Sequence, residues 1–414
     1  MLVKVLLALT VIMITARLVG LLFAGLKQPA VIGEVVGGIL LGPSLLGRLS
    51  PEAAAFLLPP DAAPFLSVIA QIGVILYMFL IGLELDLGVV SSRVSMTIVI
   101  SQASIVVPFA LGSALAFALS GSLAPAGVPF SSFLLFLGVS MSITAFPVLA
   151  RILGDHGLQR TSMGTLALTC AAINDAIAWC LLAFVVGVMQ ATPIDAIRTV
   201  GLTFLYIALM LTVGRAIAVR AVTRLDRSSR VGEQSLALVL AAVLLSAVAT
   251  EFIGIHAIFG AFLLGAIIPH HSQVSAQAHD RLADIVRVMF LPAFFAFTGL
   301  RTEIGLVETA EDWLLCGLII VVATAGKFGG TTLAARLSGL DWRDSAALGI
   351  LMNTRGLVEL IVLNIGLDLG VITPRLFTML VIMALVTTMM TSPILMALLR
   401  KHPWTEVALR RESA

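Results

Sequence analysis

Long apolar runs separated by short polar segments follow one another along almost the whole chain. A helix that crosses a bilayer needs about 20 apolar residues, and fewer if it is short or broken. The pattern therefore predicts an all-α polytopic membrane protein with about thirteen transmembrane helices in one membrane domain, 1–399, followed by a short tail, 400–414. The predicted spans are 2–24, 30–47, 65–83, 94–119, 129–152, 162–189, 196–219, 234–252, 254–269, 285–300, 313–335, 344–366 and 374–399.

The basic residues between these spans predict an orientation. Loops after odd-numbered spans and the tail hold sixteen Lys and Arg residues, whereas the opposite side holds five. Cytoplasmic loops carry the excess of positive charge. We therefore expect the N-terminus outside and the C-terminus in the cytoplasm, in a multi-pass protein of the cell's inner (plasma) membrane.

Four ionisable side chains fall deep inside predicted spans. Asp175 lies near the middle of one apolar run, and Lys327, Arg355 and Glu359 lie in later runs. A charge at the centre of a membrane helix costs about 2.5–3.5 kcal/mol on insertion scales. Such residues persist because a neighbour compensates them or because the protein uses their charge, so the pattern indicates ion or proton transport.

Composition excludes several other classes of protein. The chain is 59% hydrophobic and 12% charged, with a mean hydropathy of +1.10, whereas soluble domains carry about 25% charged residues. It contains no Walker A loop, dinucleotide fingerprint, nucleophile motif or metalloprotease motif. We expect a membrane protein surrounded by lipid, not an enzyme, with no cofactor, no resident metal and no nucleic-acid partner.

Two pairs of segments resemble each other in the same order. Residues 36–42 match 259–265, and residues 79–88 match 296–305. The second register aligns Gly82 with Gly299, Leu83 with Leu300, Asp86 with Glu303 and Gly88 with Gly305. Matching spans are seven apart, an odd number, so the copies face opposite ways. This predicts two inverted six-helix repeats joined by one linking helix, as in many secondary transporters; the alternative is a chance likeness between Gly-rich apolar segments.

Spans 5 and 12, which correspond in this repeat, both look interrupted. Span 5 contains Pro147, which lacks a backbone N–H, and span 12 contains polar residues and a glycine over 353–356. Unwound backbone at membrane depth is tolerated where it is buried in protein or lines a watery cavity. Free carbonyls there suit a cation, while Arg355 and Glu359, four residues apart, can pair and compensate half-helix charges. The alternative for Pro147 is an ordinary kink.

Five groups of residues carry a family resemblance: Gly33-Glu34 with residues 37–43, residues 144–151, Asn174-Asp175, residues 327–330 and residues 352–360. They resemble motifs of the monovalent cation/proton antiporter superfamily, the sodium/hydrogen exchanger family. The likeness is greatest to the branch with bacterial Kef-type potassium efflux systems and plant cation/proton exchangers, and it spans essentially the whole chain.

The resemblance implies thirteen helices, with broken spans 5 and 12 crossing beside the aspartate of span 6. It implies a moving core of spans 3–6 and 10–13, an elevator motion, and a homodimer formed through spans 1–2 and 8–9, with span 7 as linker. Asp175 is then the carrier of ion or proton, and Lys327 is a core lysine near the site.

Two departures from the family pattern bear on function. Asn174 stands where some relatives have a first aspartate, and the family associates Asn-Asp with electroneutral exchange. Ala145 replaces a further carboxylate that some relatives carry. Kef-type and plant relatives append cytoplasmic regulatory domains. Because this chain stops at Ala414, we expect such control either to come from a separate cytoplasmic subunit or to be absent.

The sequence supports a mechanistic hypothesis in which one site binds either a proton or a cation. Asp175 exchanges one for the other by alternating access, and Asn174 orients Asp175 or the ion. Thr144 and Thr354 supply oxygens or stabilise the broken helix ends, and Asn353 is a supporting residue of the site. Glu34 either approaches the ion path or neutralises a neighbour. Lys327 either pairs with Asp175 or neutralises the half-helix ends.

The favoured function is therefore a secondary antiporter of K⁺ and/or Na⁺ against H⁺, with potassium or mixed selectivity preferred. The alternatives are a sodium-coupled organic-anion carrier on a related fold, a gated cation efflux channel, and a non-transporting membrane subunit. Asp175 with Lys327 and the span 12 motif argue against the organic-anion carrier.

Overall fold

The computed structural model describes residues 1–26, 28–84, 94–158, 161–189, 193–227, 233–255, 257–269 and 272–399. In these ranges the regular elements are helices, which confirms the all-α class. The α-helices are α1 (Leu2–Gly25), α2 (Ala30–Leu41), α3 (Leu46–Leu49), α4 (Pro51–Leu57), α5 (Ala63–Glu84), α6 (Val94–Leu123), α7 (Phe130–Ser142), α8 (Phe146–Asp155), α9 (Ser162–Met189), α10 (Pro193–Leu209), α11 (Arg215–Arg227), α12 (Glu233–Ile253), α13 (Ala257–Ile267), α14 (Gln273–Ile285), α15 (Leu291–Leu300), α16 (Ala310–Thr324), α17 (Gly330–Leu337), α18 (Trp342–Met352), α19 (Leu357–Asp368) and α20 (Pro374–Leu399).

Short non-α turns connect some of these helices. Met210–Gly214, Val286–Phe290 and Ala325–Gly329 are π-helical turns that join α10 to α11, α14 to α15 and α16 to α17. Two 3₁₀ turns cover Pro60–Ala62 and Ile304–Leu306. Because π turns inside helices occur often at functional sites, the turn that contains Lys327 is of particular interest.

Helical segments occupy each of the thirteen predicted spans. Within the described ranges, nine helices are long and apolar enough to cross a membrane, and two further apolar helices, α7 and α13, are shorter. The count of thirteen crossings and the inverted repeat stay predictions. Asp86 and Gly88, on which part of the repeat register depends, lie outside the described residues.

The chain divides into two compact units. The first unit comprises Met1–Met13, Leu57–Val89 and Trp179–Phe297, and the second comprises Ile14–Phe56, Val90–Ala178 and Thr298–Ala414. Each unit mixes spans that we predicted for the core and for the dimerisation domain, and that domain assignment stays a prediction.

In the first unit, α5 and α13 approach closely through two glycines. A methyl group on Gly82 would lie 2.3 Å from the carbonyl oxygen of Phe262, and one on Gly265 would lie 2.3 Å from that of Phe79. Small residues let membrane helices pack backbone against backbone, which replaces the hydrophobic driving force that lipid does not provide. This contact explains why glycines occur at these positions of two apolar helices.

Replacing Gly82 by alanine should therefore lower stability, by about 1–3 kcal/mol, because the added methyl meets fixed backbone atoms. Gly201→Ala in α10 is the matched control, since no atom of the described residues lies within 4 Å of a methyl group there. Alanine is favoured over glycine in a helix by about 1 kcal/mol, so the control should be as stable as the wild type or more so. The measurement is the monodisperse fraction after heating in detergent; equal melting of both variants would contradict the close contact.

The second unit contains all four of the buried ionisable residues that the sequence singled out. In this unit α6 packs on α7, and α18 packs on α17 and α20. Asp175 has an exposed fraction of 1%, and Lys327, Arg355 and Glu359 are fully buried. These four candidate site residues therefore all belong to the second unit.

Candidate functional site

The first helix break lies between α7 and α8. Ile143 and Ala145 have extended backbone, with φ/ψ of −76°/137° and −91°/95°, and α8 begins at Phe146 with Pro147 in its first turn. Proline is tolerated in the first turn because the N–H it lacks would have no helical partner there. The predicted interruption of span 5 is present, and it is a break rather than an ordinary kink.

The second break lies between α18 and α19, as the sequence predicted. Helix α18 ends at Met352, and α19 begins at Leu357. Gly356 has extended backbone with a φ of 165°. Spans 5 and 12 are each therefore formed by two half-helices.

The two breaks contact each other directly. The backbone N–H of Ala145 donates to the carbonyl oxygen of Thr354 at 3.0 Å, and the Thr144 hydroxyl donates to the carbonyl oxygen of Met352 at 3.0 Å. A buried polar backbone group without a partner costs about as much as a lost hydrogen bond. Each break thus satisfies backbone groups that the other one releases.

Arg355 closes the end of α7. Its Nη1 donates to the carbonyl oxygen of Ser140 at 2.8 Å, and its Nη2 donates to that of Met141 at 2.8 Å. These carbonyls belong to the last turn of α7, where a cation is favoured by the helix dipole. Nη1 also donates to Glu359 Oε2 at 3.0 Å, in a pair with no solvent exposure. The predicted pairing of Arg355 with Glu359 is present.

Threonines of α20 support the second break. The Thr388 hydroxyl donates to the carbonyl oxygen of Arg355 at 2.7 Å and accepts the Arg355 backbone N–H at 3.0 Å. The hydroxyls of Thr354 and Thr391 lie 3.5 Å apart. Thr388 and Thr391 were not predicted from the sequence. The available signal was three threonines within little more than one helical turn of an apolar span, at 387, 388 and 391.

Lys327 projects from the π-helical turn Ala325–Gly329 to the first break. Its ammonium donates to the carbonyl oxygen of Ser104 at 2.8 Å and to the Thr144 hydroxyl at 2.7 Å. Among the described ion pairs, none within 4.0 Å joins Lys327 to Asp175. Of the two roles predicted for Lys327, the structure therefore holds the lysine at the break rather than in a contact pair with Asp175.

Asn174 and Asp175 lie side by side on α9, and both are buried. The Asn174 amide nitrogen donates to the Ser104 hydroxyl. The Asp175 carboxylate lies near the backbone N–H of Phe146, at the positive N-terminus of α8. Even so, neither carboxylate oxygen has a hydrogen-bond partner among the described residues, and the Asn174 amide oxygen has none either.

These three oxygens define what the site can do chemically. Burial disfavours a charged carboxylate unless something compensates it. A proton on Asp175 would remove the charge, whereas a cation with oxygen ligands would neutralise it. Hard cations take carboxylate and carbonyl oxygens, and the Asn174 oxygen beside the carboxylate is of that kind.

Two predicted residues do not join this cluster. Glu34 lies buried in α2, near Gly20 of α1 and the positive charge of Arg17. No described hydrogen bond joins it to Asp175, and both alternatives for Glu34, the ion path and a neutralised neighbour, stay predictions. Asn353 is fully buried at the second break, and neither polar atom of its side chain has a described partner.

Ser104 is the main residue that the sequence analysis missed. It touches both halves of the site, through its carbonyl to Lys327 and through its hydroxyl to Asn174. A serine in an apolar span is common and carries little signal by itself. Its four-residue spacing from Pro108 was the available clue.

Fold and site together define a polytopic helical membrane protein whose buried carboxylate lies beside two abutting broken helices. The profile of the family described as sodium/hydrogen exchanger, transmembrane, matches residues 11–401. The chain belongs to this family, as its motifs led us to expect.

The chain is similar to several characterised relatives. It is 46% identical over 381 residues to the Na⁺/H⁺ antiporter NhaS4 of Synechocystis, covering 92% of this chain and 93% of that protein. It is 40% identical to cation/H⁺ antiporter 17 of Arabidopsis thaliana over 94% of this chain, and 34% identical to K⁺/H⁺ antiporter 1 of Saccharomyces cerevisiae over 92%. It spans 47% of the plant protein and 45% of the yeast protein, so about half of each lies outside the match.

A solved structure shows the same fold. The sodium proton antiporter MjNhaP1 of Methanocaldococcus jannaschii matches with a TM-score of 0.64 over 98% of this chain and 99% of that chain, at 16% sequence identity. At that identity the match shows the fold alone and does not identify the transported ion.

Proposed function

We propose that this chain exchanges a monovalent cation for a proton across the membrane, with Asp175 as the carrier. The carrying observation is a buried carboxylate whose two oxygens have no hydrogen-bond partner among the described residues, while the Lys327 ammonium is bonded to Ser104 and Thr144. A carboxylate in that state needs either a proton or a cation. The activity of the relatives, named as antiporters of Na⁺, K⁺ or unspecified cations with H⁺, supports the same reaction.

Coupling then follows from competition at one site. Protonated Asp175 is neutral and has no attraction for a cation, whereas ionised Asp175 attracts one. The amide oxygen of Asn174, whose nitrogen is fixed by Ser104, is the proposed second ligand. Because both substrates need the same carboxylate, neither crosses in the same step as the other, and the two fluxes are linked without a further device.

The remaining charged residues stabilise the broken helices on which this exchange depends. Arg355 bonds the last carbonyls of α7 and pairs with Glu359, and Lys327 bonds Thr144 in the first break. Alternating access by an elevator movement of a core against a dimerisation domain, in a homodimer, is part of the proposal. So is a plasma-membrane location with the N-terminus outside.

Stoichiometry and ion preference complete the proposal. Asn174 does not titrate, so Asp175 carries one charge, and one proton exchanges for one cation with no net charge movement. The membrane potential, about 2.3 kcal/mol per charge per 100 mV, then contributes nothing to the driving force. We propose potassium or mixed potassium and sodium transport, because the motifs resemble the Kef-type and plant branch.

Proton flux in proteoliposomes tests this function. Purified protein is reconstituted with a pH-sensitive dye inside. Sodium is added outside while valinomycin and a fixed potassium gradient clamp the voltage, and potassium is tested in separate liposomes without valinomycin. We expect cation-triggered proton efflux whose rate does not change with the clamped voltage. Protein-free liposomes and the exposed-carboxylate variant Asp280→Asn serve as controls, the first without flux and the second with wild-type flux.

Three outcomes would count against parts of the proposal. Folded, inserted protein that moves no protons with either ion would overturn the antiporter. Cation flux without proton movement would favour the channel. A rate that follows the voltage would overturn one-for-one exchange while leaving antiport intact.

A further inference from the structure

A proline lies in the middle of α6 and changes the hydrogen bonding of that helix. Helix α6 runs continuously from Val94 to Leu123 with Pro108 inside it. In a regular helix the N–H of residue 108 would donate to the carbonyl oxygen of residue 104, but proline has no N–H. Pro108 therefore releases the Ser104 carbonyl from the helix at membrane depth.

The released carbonyl is the one that Lys327 uses. The Lys327 ammonium donates to it at 2.8 Å. The π-helical turn that carries Lys327 packs on the proline itself, since a methyl group on Gly326 would lie 2.8 Å from the Pro108 Cα. Proline and π turn thus fit together, and each supplies one half of the same hydrogen bond.

The side chain of Ser104 contacts Asn174, which together with Asp175 we call the carrier pair. Its hydroxyl accepts from the Asn174 amide nitrogen, next to Asp175. One residue of α6 therefore fixes the lysine with its backbone and the asparagine with its side chain. Since both bonds depend on where residue 104 lies, lysine and carrier pair are positioned by a common support.

We propose that Pro108 and Ser104 are positioning residues, which dock Lys327 away from Asp175 and so leave the carboxylate available to the transported cation. The proposal rests on the proposed function, because it assigns these residues a part in that exchange. The Thr144 hydroxyl, at 2.7 Å from the ammonium, completes the dock.

Two acceptors compete for the buried ammonium of Lys327. A buried charge needs acceptors, and hydrogen bonds to charged groups are stronger than neutral ones. If the Ser104 carbonyl regains a helical donor, Lys327 has to share it. Glu359 is already paired with Arg355, so the carboxylate near Lys327 that has no hydrogen-bond partner among the described residues is that of Asp175, which attracts the ammonium through the buried interior. The lysine then competes with the transported cation for the same oxygens.

Pro108→Ala restores the N–H at position 108 and tests this. We expect the cation concentration for half-maximal exchange to rise about ten-fold, which equals about 1.4 kcal/mol, while the maximal rate falls less than two-fold. A raised half-maximal concentration (KM) with a nearly unchanged maximal rate (kcat) indicates that the lysine competes with the cation. A damaged transporter would instead lose maximal rate.

Pro393→Ala is the matched control. Pro393 lies inside α20 and likewise releases a carbonyl four residues earlier, that of Met389. The donor on that carbonyl is the Gln28 side-chain amide at 3.4 Å, not a buried lysine. This variant undergoes the same chemical change in a spanning helix, and its half-maximal concentration should stay within two-fold of the wild type.

A stability cycle tests the dock independently of transport. Replacing proline by alanine inside a helix stabilises it intrinsically, but in Pro108→Ala this gain is offset by the lost lysine acceptor. In the Lys327→Met background there is no ammonium to lose. Pro108→Ala changes the melting temperature in each background. We expect that change to be more favourable by at least about 3 °C in the Lys327→Met background than in the wild type. For Pro393→Ala the two backgrounds should give the same change.

Ser104 is tested through its hydroxyl. Ser104→Ala keeps the carbonyl and removes the acceptor of Asn174, so we expect weaker cation binding with an unchanged Pro108–Lys327 stability coupling. Ser104→Thr restores a hydroxyl and should restore binding. A Ser104→Ala variant with wild-type half-maximal concentration would overturn the part assigned to the hydroxyl.

The outcomes separate the two proposals. Equal melting changes in both backgrounds would overturn the dock, whether or not the protein is an antiporter. A present stability coupling with an unchanged half-maximal concentration would overturn its role in exchange. A wild type that shows no cation-coupled proton flux would overturn the proposed function and with it that role, while the stability cycle would still decide the dock.

Discussion

Replacing Asp175 by asparagine should reduce cation-coupled proton movement to the level of protein-free liposomes. The asparagine has nearly the shape of the aspartate but cannot bind or release a proton, and it offers a cation no charge. The protein should fold at least as well as the wild type. The Asp175 carboxylate is buried without a hydrogen-bond partner among the described residues, and burying a neutral amide there costs less free energy than burying a charged carboxylate. The measurement is dye-monitored flux together with the melting temperature of the purified variant.

Two further variants sharpen this expectation. Asp175→Glu keeps a carboxylate but displaces it by one methylene, so exchange should be slower and still coupled. The exposed Asp280→Asn makes the same chemical change at a side chain that is 81% exposed, and exchange should be unchanged. Coupled exchange retained in folded Asp175→Asn would overturn Asp175 as the carrier.

Replacing Arg355 by methionine should have the largest effect on stability. It leaves Glu359 buried without its partner and removes the donors from the carbonyls of Ser140 and Met141. Breaking a buried ion pair by removal of one partner costs about 3–5 kcal/mol. We expect the free energy of unfolding in detergent to fall by that amount, and the yield of monodisperse protein to fall with it.

Variants of Glu359 should show how much stability comes from its ion pair with Arg355 and how much from the bonds of Arg355 to α7. Glu359→Leu leaves the guanidinium on the two carbonyls of α7, so it should destabilise less than Arg355→Met. The double variant Arg355→Met, Glu359→Leu removes the stranded carboxylate and should recover part of the loss, although the carbonyls stay without a donor. If the free energy of unfolding of Arg355→Met stayed within about 1 kcal/mol of the wild-type value, the bonds from Arg355 to the end of α7 would contribute little to stability.

Local sequence chemistry predicted the helix breaks well. Pro147 marks the first turn of a half-helix, and Gly356 with its polar neighbours marks the second interruption. The i,i+4 spacing of Arg355 and Glu359 predicted their pairing, which is present. These predictions succeed because proline, glycine and a one-turn spacing act within a few residues of chain.

Contacts between distant segments were beyond sequence reasoning. The carbonyls that Arg355 bonds lie more than 200 residues away along the chain, and so does the Ser104 carbonyl that Lys327 bonds. Every residue has a carbonyl, so the sequence carries no sign of which one will serve as an acceptor. Thr388 was overlooked for a related reason, because a threonine in an apolar helix usually bonds its own helix.

The sequence by itself determined that this is an α-helical membrane protein, where its helices break, and which charges lie inside it. Apolar run length, proline and glycine positions, and the cost of a buried charge are local properties of the chain. The tertiary structure decided that the two breaks satisfy each other, that Arg355 closes α7, and that Lys327 rests on Ser104 and Thr144 rather than on Asp175. Those outcomes depend on distances between segments far apart in sequence, and such distances exist only once the helices have packed.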